Sequence, residues 1–243
     1  IAVSSNSNGE QLLQVVNHGG REAIEHFKVT LSEIPELQWL GCTTLPAGAL
    51  ANAVAAFPSG ELYVSNMHKL SETLSAEIFN TVGEVLHWSV KTGWQSIAGS
   101  DIPGANGILV SADKQKIFVT SWTQGEIIEL SPGSQSTQRR VLKLDFLPDN
   151  IRWNTDSSIL AAGFQTSVET VIACVMSTQT HCAIPSRIAV IDPVSLTVKQ
   201  AISVEQGNST VASPVGDQIW IGTARGDRLY RILKEELLGP ATY

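Results

Sequence analysis

The sequence predicts an all-β fold of the β-propeller class, and the repeat of strand patterns along its 243 residues carries this prediction. Five short strand patterns of similar character recur at residues 13–18, 61–65, 116–120, 158–162 and 218–222. Their central residues, Val16, Tyr63, Phe118, Leu160 and Trp220, are separated by 47, 55, 42 and 60 positions. Repeats of about 40 to 60 residues built from strands and turns are typical of propeller blades of about four strands each. The sequence therefore predicts about five blades.

A further strand pattern follows four of these five repeats, at residues 83–90, 125–130, 187–192 and 228–232. Apolar and polar side chains alternate in each of them, which indicates half-buried strands. Turn-forming residues separate the patterns, for example Pro58-Ser-Gly60 and Ser131-Pro-Gly133. Neighbouring strands joined by short turns are expected to pair as antiparallel hairpins.

The overall composition favours one propeller domain spanning residues 1–243. Hydrophobic residues make up 43% of the chain and charged residues 16%, with a mean hydropathy of +0.07, so a continuous core is expected. The formal net charge is −7, and the most conspicuous basic pair is Arg139-Arg140, which argues against a nucleic-acid partner. No window approaches the roughly 18 apolar residues of a transmembrane helix. We therefore expect no transmembrane segment and no nucleic-acid binding.

Two long connections interrupt the repeat, at residues 67–81 and 165–186. The first carries a weak helical pattern and the second is polar and contains Cys174 and Cys182. These cysteines are eight positions apart and either close one loop as a disulfide or remain two thiols. A disulfide would favour an oxidising compartment, secreted or periplasmic. Long connections on one end of a scaffold often cover a binding site, although a tolerated surface loop is equally consistent with the pattern.

Polar residues recur at one place in successive repeats. Asn106 precedes one apolar strand pattern, Asp149 and Asn150 stand 43 and 44 positions further on before the next, and Asn52 precedes the pattern at 61–65. Residues at one register of a repeated unit are expected to converge. Amide and carboxylate oxygens without Cys or His suit a hard cation such as Ca²⁺. The alternative for each residue alone is a turn-forming side chain that bonds its own backbone.

Several short segments, taken in order, resemble the paraoxonase (arylesterase) branch of the gluconolactonase and senescence-marker superfamily. The segments are Val-Asn-His at 16–18, Glu-His-Phe at 25–27, Leu-Ala-Asn at 50–52 and the stretches at 104–113, 147–151 and 207–213. The resemblance covers nearly the whole chain. It implies a six-bladed propeller that hydrolyses lactones and esters with a central Ca²⁺.

The resemblance also implies roles for individual residues. Asn52, Asn106, Asp149 and Asn150 correspond to ligands of the catalytic calcium, and His18 to a histidine of the active-site face. The family's remaining ligand, a Glu, comes from an N-terminal segment without a counterpart here, and the chain begins at Ile1 rather than Met. We therefore expect the N-terminal blade segment to be missing from this sequence. Ala53 replaces the Asp that helps to hold a second, structural calcium, so only one ion is expected.

Two functions follow as alternatives. In the first, a calcium-dependent hydrolase cleaves a lactone or small aryl ester, with His18 or Asp149 as the base that activates water. In the second, the propeller has lost its chemistry and serves as a ligand-binding or protein-interaction scaffold. The missing Glu and Ala53 favour the scaffold, whereas the four retained oxygen ligands favour the enzyme. A serine hydrolase is poorly supported, because the sequence contains no Gly-x-Ser-x-Gly.

Overall fold

A computed structural model describes residues 1–6, 8–69, 82–133, 136–205 and 207–238. Its strands form five antiparallel sheets in a β-propeller arrangement, which confirms the predicted fold class and the expectation of about five blades. The first sheet contains β1 (Ala2–Ser5), β2 (Gln11–Asn17), β3 (Ala23–Thr30) and β4 (Glu36–Thr44) in that order. The second contains β5 (Ala49–Ala56), β6 (Leu62–Lys69), β7 (Val82–Ser89) and β8 (Gly93–Ser96), and the short β9 (Ile102–Pro103) also pairs with β7.

The three remaining sheets repeat the same consecutive order. The third contains β10 (Ala105–Val110), β11 (Ile117–Ser121), β12 (Glu126–Pro132) and β13 (Thr137–Lys143). The fourth contains β14 (Leu147–Trp153), β15 (Ile159–Phe164), β16 (Ser186–Asp192) and β17 (Thr197–Val204), and the fifth contains β18 (Ser209–Val215), β19 (Gln218–Thr223) and β20 (Tyr230–Leu233). The five strand patterns of the sequence are the second strands of the blades, and the four alternating patterns are third strands.

The chain divides into two compact units. The first comprises Ile1–Val119 and Leu130–Gln138, and the second comprises Thr120–Glu129 and Arg139–Tyr243. The interpretation of the chain as one domain that lacks a blade stays a prediction.

Each unit has its own apolar core, formed by the strand faces that the alternating patterns predict. In the first unit a buried cluster contains Ile24, Leu45, Ala49, Ala51, Val54, Leu62, Val64 and Leu86. In the second unit a buried cluster contains Leu160, Ala162, Ile188, Val190, Val204, Ala212, Ile219, Ile221 and Leu237. Burial of these aliphatic side chains supplies the main stabilisation of each stack of blades.

The two long connections differ from their sequence-based description. Strand β6 continues to Lys69, so the beginning of the 67–81 connection is strand, and residues 70–81 lie outside the described residues. The 165–186 connection contains helix α1 (Val168–Met176), which begins after the N-cap Ser167 and buries Val168 and Val171. A short helix of this kind is stabilised when the apolar residues on one of its faces pack against a core. A second helix, α2 (Lys234–Leu238), follows β20.

Cys174 and Cys182 form a disulfide with a Cα to Cα distance of 6.1 Å, which resolves the alternative left open by the sequence. The bond closes the loop that follows α1. Neither helix within the described ranges is long and apolar enough to cross a membrane.

The close contact between β14 and β15 at Gly163 gives a prediction about stability. A Cβ at this position would overlap the carbonyl oxygen of Leu147 and lie 2.8 Å from the Cα of Pro148, both of which are backbone atoms that cannot rotate away. Gly163→Ala should therefore lower the free energy of unfolding by about 3 kcal/mol, measured by urea denaturation.

The matched control for this prediction is Gly216→Ala, where φ is +60° and no atom lies within 4 Å of the added Cβ. That variant carries only the cost of a left-handed backbone, about 1 kcal/mol. Equal losses of stability in the two variants would contradict the proposed close contact.

Candidate functional site

The predicted ligands lie inside the first strands of three blades. Asn52 is in β5, Asn106 in β10, and Asp149 and Asn150 in β14. Each of these strands precedes the second strand whose pattern the sequence identifies, so the candidate ligands are strand residues and not turn residues. In two of these first strands, β5 and β14, the pairing with the next strand is interrupted where the candidate ligands lie.

The interruptions are β-bulges. In the second blade Ala51 pairs with Asn66 and Ala53 with Ser65, so Asn52 has no partner in the ladder. In the fourth blade Pro148 pairs with Gly163 and Ile151 with Ala161, so Asp149 and Asn150 together face one residue of β15. A bulge changes the direction of a side chain and is frequent beside functional sites. The two bulges therefore set the candidate ligands apart from ordinary strand residues.

The hydroxyl of Ser65 brings Asn52 and Asn106 together in the first unit. Ser65 is fully buried in the middle of β6. Its Oγ accepts a hydrogen bond from the backbone N–H of Ala53 at 3.0 Å and donates to the backbone carbonyl of Asn106. One side chain thus contacts the residue after Asn52 and the main chain of Asn106.

Thr120 has the same role in the second unit. It is fully buried on β11, and its Oγ1 donates to the backbone carbonyl of Asp149 at 2.7 Å. Ser65 and Thr120 each stand two positions after the central residue of their repeat, Tyr63 and Phe118. The sequence analysis did not identify Ser65 and Thr120 as site residues. Their hydroxyl groups at the same position of two repeats could have indicated them.

Asn106 carries the observation that fits a cation best. Its side chain is only 6% exposed. Its Oδ1 is buried and has no hydrogen-bond donor among the residues that the structure describes. A buried carbonyl oxygen without a donor is costly and uncommon in folded proteins, so each instance calls for a ligand, an ion or water. An amide oxygen is also a normal ligand of Ca²⁺.

The neighbouring pair Asp149 and Asn150 forms the acidic part of the candidate site. The Nδ2 of Asn150 donates to the Oδ1 of Asp149 at 2.6 Å. This bond uses only the nitrogen of the side-chain amide and leaves its Oδ1 available to a ligand. Burial lowers the pKa of Arg152 from its usual value, and the nearby Asp149 carboxylate opposes that shift. A positive charge therefore lies close to the proposed ligand pair.

His18 lies just after β2, at the start of the loop that leads to β3. Its side chain is 53% exposed, and its Nδ1 is 2.8 Å from Oε1 of Glu22. When Nδ1 donates to this carboxylate, Nε2 is left with the lone pair that a general base needs. The contact with Glu22 was not predicted from the sequence.

The structure thus brings Asn52 and Asn106 together in the first unit and Asp149 and Asn150 together in the second. Within the described ranges no three His, Cys, Asp or Glu side chains gather into a metal cluster. The predicted ligand set consists of three amide oxygens and one carboxylate. The chemistry of these donors fits one hard cation. Shared coordination by all four residues stays a prediction.

A polar groove of about 1170 Å³ lies in the second unit, between the 165–185 connection and the loop after β19. Arg225 holds the connection in place by donating to the carbonyls of Val175 at 2.6 Å and Ser177 at 3.1 Å. The connection leaves β15 after Phe164, which pairs with Leu147 two positions before Asp149. The polar lining of the groove includes Gln179, Thr180, His181, Asp227 and Arg228.

Comparison with known proteins gives a consistent result. A sequence model described as Arylesterase matches residues 1–233. Serum paraoxonase/arylesterase 2 of the dog, Canis lupus familiaris, is 29% identical over 160 residues. That match covers 62% of this chain and 44% of the dog protein, so it spans less than half of the relative's length.

Two solved structures share the fold. A gluconolactonase from Xanthomonas campestris matches with a TM-score of 0.55 at 14% identity, covering 91% of this chain and 68% of the other. A luciferin-regenerating enzyme matches with a TM-score of 0.56 at 17% identity, covering 91% and 70%. At these identities the likeness is one of fold.

The hydrogen bond from Thr120 to Asp149 gives a prediction for this site. Thr120→Val keeps the shape of the side chain but leaves the partly buried backbone carbonyl of Asp149 without this donor. We expect a loss of about 1 to 3 kcal/mol in the free energy of unfolding, measured by urea denaturation.

Thr197→Val is the matched control for this substitution, because Thr197 is exposed on β17. Its stability should change by less than about 0.5 kcal/mol. A Thr120→Val protein as stable as the control would show that the hydroxyl does not hold the ligand strand.

Proposed function

The chain belongs to the arylesterase family, and on that premise we propose that it is a calcium-dependent hydrolase of lactones or small aryl esters. The observation that carries the calcium part is the buried Oδ1 of Asn106, which lies in the first strand of its blade and has no donor among the described residues. Membership of the family supports the hydrolysis of an ester bond. The resemblance to paraoxonases supports lactones and aryl esters as substrates.

Asn52, Asn106 and Asn150 would hold the ion through neutral amide oxygens, and Asp149 through its carboxylate. Three neutral ligands and one anion leave a divalent cation with net positive charge. Calcium bound there would polarise the ester carbonyl and stabilise the negative charge that develops on its oxygen. The buried hydroxyls of Ser65 and Thr120 fix the backbone of Asn106 and Asp149, which limits how far the ligands can move.

His18 is the better of the two candidate bases. Glu22 holds its Nδ1, which orients the ring and leaves Nε2 as the nitrogen that carries the lone pair. Asp149 instead already accepts hydrogen bonds through Oδ1 and its carbonyl oxygen. In the proposed reaction the oxygen of a water molecule bonds to the ester carbonyl carbon while Nε2 of His18 takes up the water proton. The bond to the alcohol oxygen then breaks, and the proton passes to that leaving oxygen.

Calcium binding is tested by thermal unfolding of the purified chain in CaCl₂, MgCl₂ or EDTA. Calcium at about 100 times its dissociation constant would stabilise the wild type by about 2.7 kcal/mol, and this stabilisation should disappear in Asn106→Ala. Asn106→Asp, which keeps an oxygen ligand, should retain it.

Asn154→Ala is the matched control for calcium binding. Asn154 is 5% exposed, close to the value for Asn106, but its side chain bonds Ser158 and the N–H of Thr155. This variant should lose stability and still respond to calcium. If calcium stabilises the wild type and Asn106→Ala equally, Asn106 is not a ligand. If it stabilises neither, the chain is better described as a scaffold.

The role of His18 is tested by steady-state hydrolysis of phenyl acetate. His18→Gln should lower kcat by about 100-fold or more, because a positioned general base contributes at least that factor. Glu22→Gln should lower kcat by a smaller factor, since the base remains but is less well oriented. His26→Gln is the control, because His26 bonds Thr43 within the first sheet. Wild-type kcat in His18→Gln would rule out His18 as the base.

A further inference from the structure

Arg152 is an arginine on a first strand, two positions after the proposed ligand Asn150. It lies on β14, the edge strand of the fourth sheet, and pairs with Leu160 of β15. Leu160 is fully buried in the apolar cluster that includes Ala212 and Ile219 of the fifth blade. The aliphatic part of a half-buried arginine can pack against such a cluster while its guanidinium stays accessible to a ligand.

The contacts of the Arg152 guanidinium leave most of its donors unused. Its Nη1 donates to the backbone carbonyl of Ile151 at 2.8 Å, which uses one of its five N–H groups. In the described part of the chain no Asp or Glu oxygen forms an ion pair with it. A half-buried guanidinium without a bonded carboxylate is unfavourable unless an anion approaches it.

Other arginines of the same unit are paired differently. Arg140 lies 3.3 Å from Glu129, Arg187 lies 3.2 Å from Asp145, and Arg228 lies 2.8 Å from Asp227. Arg225 has no carboxylate but donates to a row of backbone carbonyls. Arg152 therefore differs from these arginines, because its guanidinium has neither an ion pair with a carboxylate nor a row of backbone carbonyls among the described residues.

The charge nearest to Arg152 on its own strand belongs to Asp149. The two groups are close enough for the carboxylate to favour the charged guanidinium. Under the proposed function Asp149 would hold a cation, and its charge would then no longer balance Arg152. An anionic group of the ligand is the natural counter-charge, and the planar guanidinium matches a carboxylate with two parallel hydrogen bonds.

We propose that Arg152 is a specificity-determining residue that binds a carboxylate group on the substrate, so that the enzyme favours esters or lactones that carry an acidic substituent. The proposal rests on the proposed hydrolase function and adds the class of substrate. Its recognition element is the half-buried guanidinium on β14, on the same strand as the ligand pair Asp149 and Asn150.

The test uses two esters that differ by one carboxylate, phenyl acetate and 4-acetoxybenzoate. The wild-type chain should have the lower KM for 4-acetoxybenzoate. Arg152→Gln should raise that KM by about tenfold or more relative to the KM for phenyl acetate, because a hydrogen-bonded ion pair is lost. Arg152→Lys should recover part of the preference for 4-acetoxybenzoate, since lysine keeps the positive charge but cannot form the bidentate hydrogen bonds of a guanidinium. Arg140→Gln is the control, and it should leave the ratio of the two KM values unchanged.

Two outcomes would overturn the proposal: a wild type without preference for the acidic ester, or an Arg152→Gln variant in which both KM values rise by the same factor. A binding measurement separates this failure from failure of the hydrolase function. If neither ester is cleaved, 4-hydroxybenzoate should still raise the Tm of the wild type more than phenol does, and the difference should vanish in Arg152→Gln. Equal Tm shifts with the two compounds would reject the carboxylate site.

Discussion

The arrangement of the candidate site depends on two buried hydroxyls that each hold the first strand of the next blade. Ser65 donates to the backbone carbonyl of Asn106, and Thr120 donates to that of Asp149. A buried carbonyl cannot be left unpaired without a large cost, so these bonds fix the main chain at the residues proposed to bind the ion. The bulges at Asn52 and Asp149 then free the side chains from regular strand pairing. A preorganised cation site requires a rigid backbone and side chains that point towards the ion.

Different side chains of the blades supply the stability of the fold and its proposed chemistry. Apolar residues of the second and third strands, such as Val64, Leu160 and Ile188, fill the cores. The first strands also contribute core residues, such as Ala51 and Val54, and in addition carry amide, carboxylate and guanidinium groups. These groups include the Oδ1 of Asn106, which has no donor among the described residues, and the half-buried Arg152. Such groups are costly in a core and useful beside a ligand. The groove beside Arg225 lies in the second unit and is lined by polar residues such as Gln179 and Asp227.

The sequence was most informative where side chains alternate regularly. The second strands at Tyr63, Phe118, Leu160 and Trp220 and the third strands after them were all predicted, because period-2 burial appears directly in the residue order. The sequence patterns did not identify the first strands. In β5 and β14 a bulge interrupts the pairing, and Asn52 and Asp149 therefore resembled turn residues in the sequence. The partners Ser65 and Thr120 lie 41 and 29 positions from the residues they hold, and local pattern cannot show such contacts. The contact between His18 and Glu22 and the surroundings of the Arg152 guanidinium likewise required coordinates.

The central claim is that Asn52, Asn106, Asp149 and Asn150 bind one calcium ion, and a crystal structure of the chain grown with calcium tests it most directly. Anomalous diffraction identifies the ion independently of the fitted atoms. The account predicts one anomalous peak within about 2.3 to 2.6 Å of side-chain oxygens from all four residues. A peak held by other residues, or fully occupied water between these side chains in the presence of calcium, would contradict it.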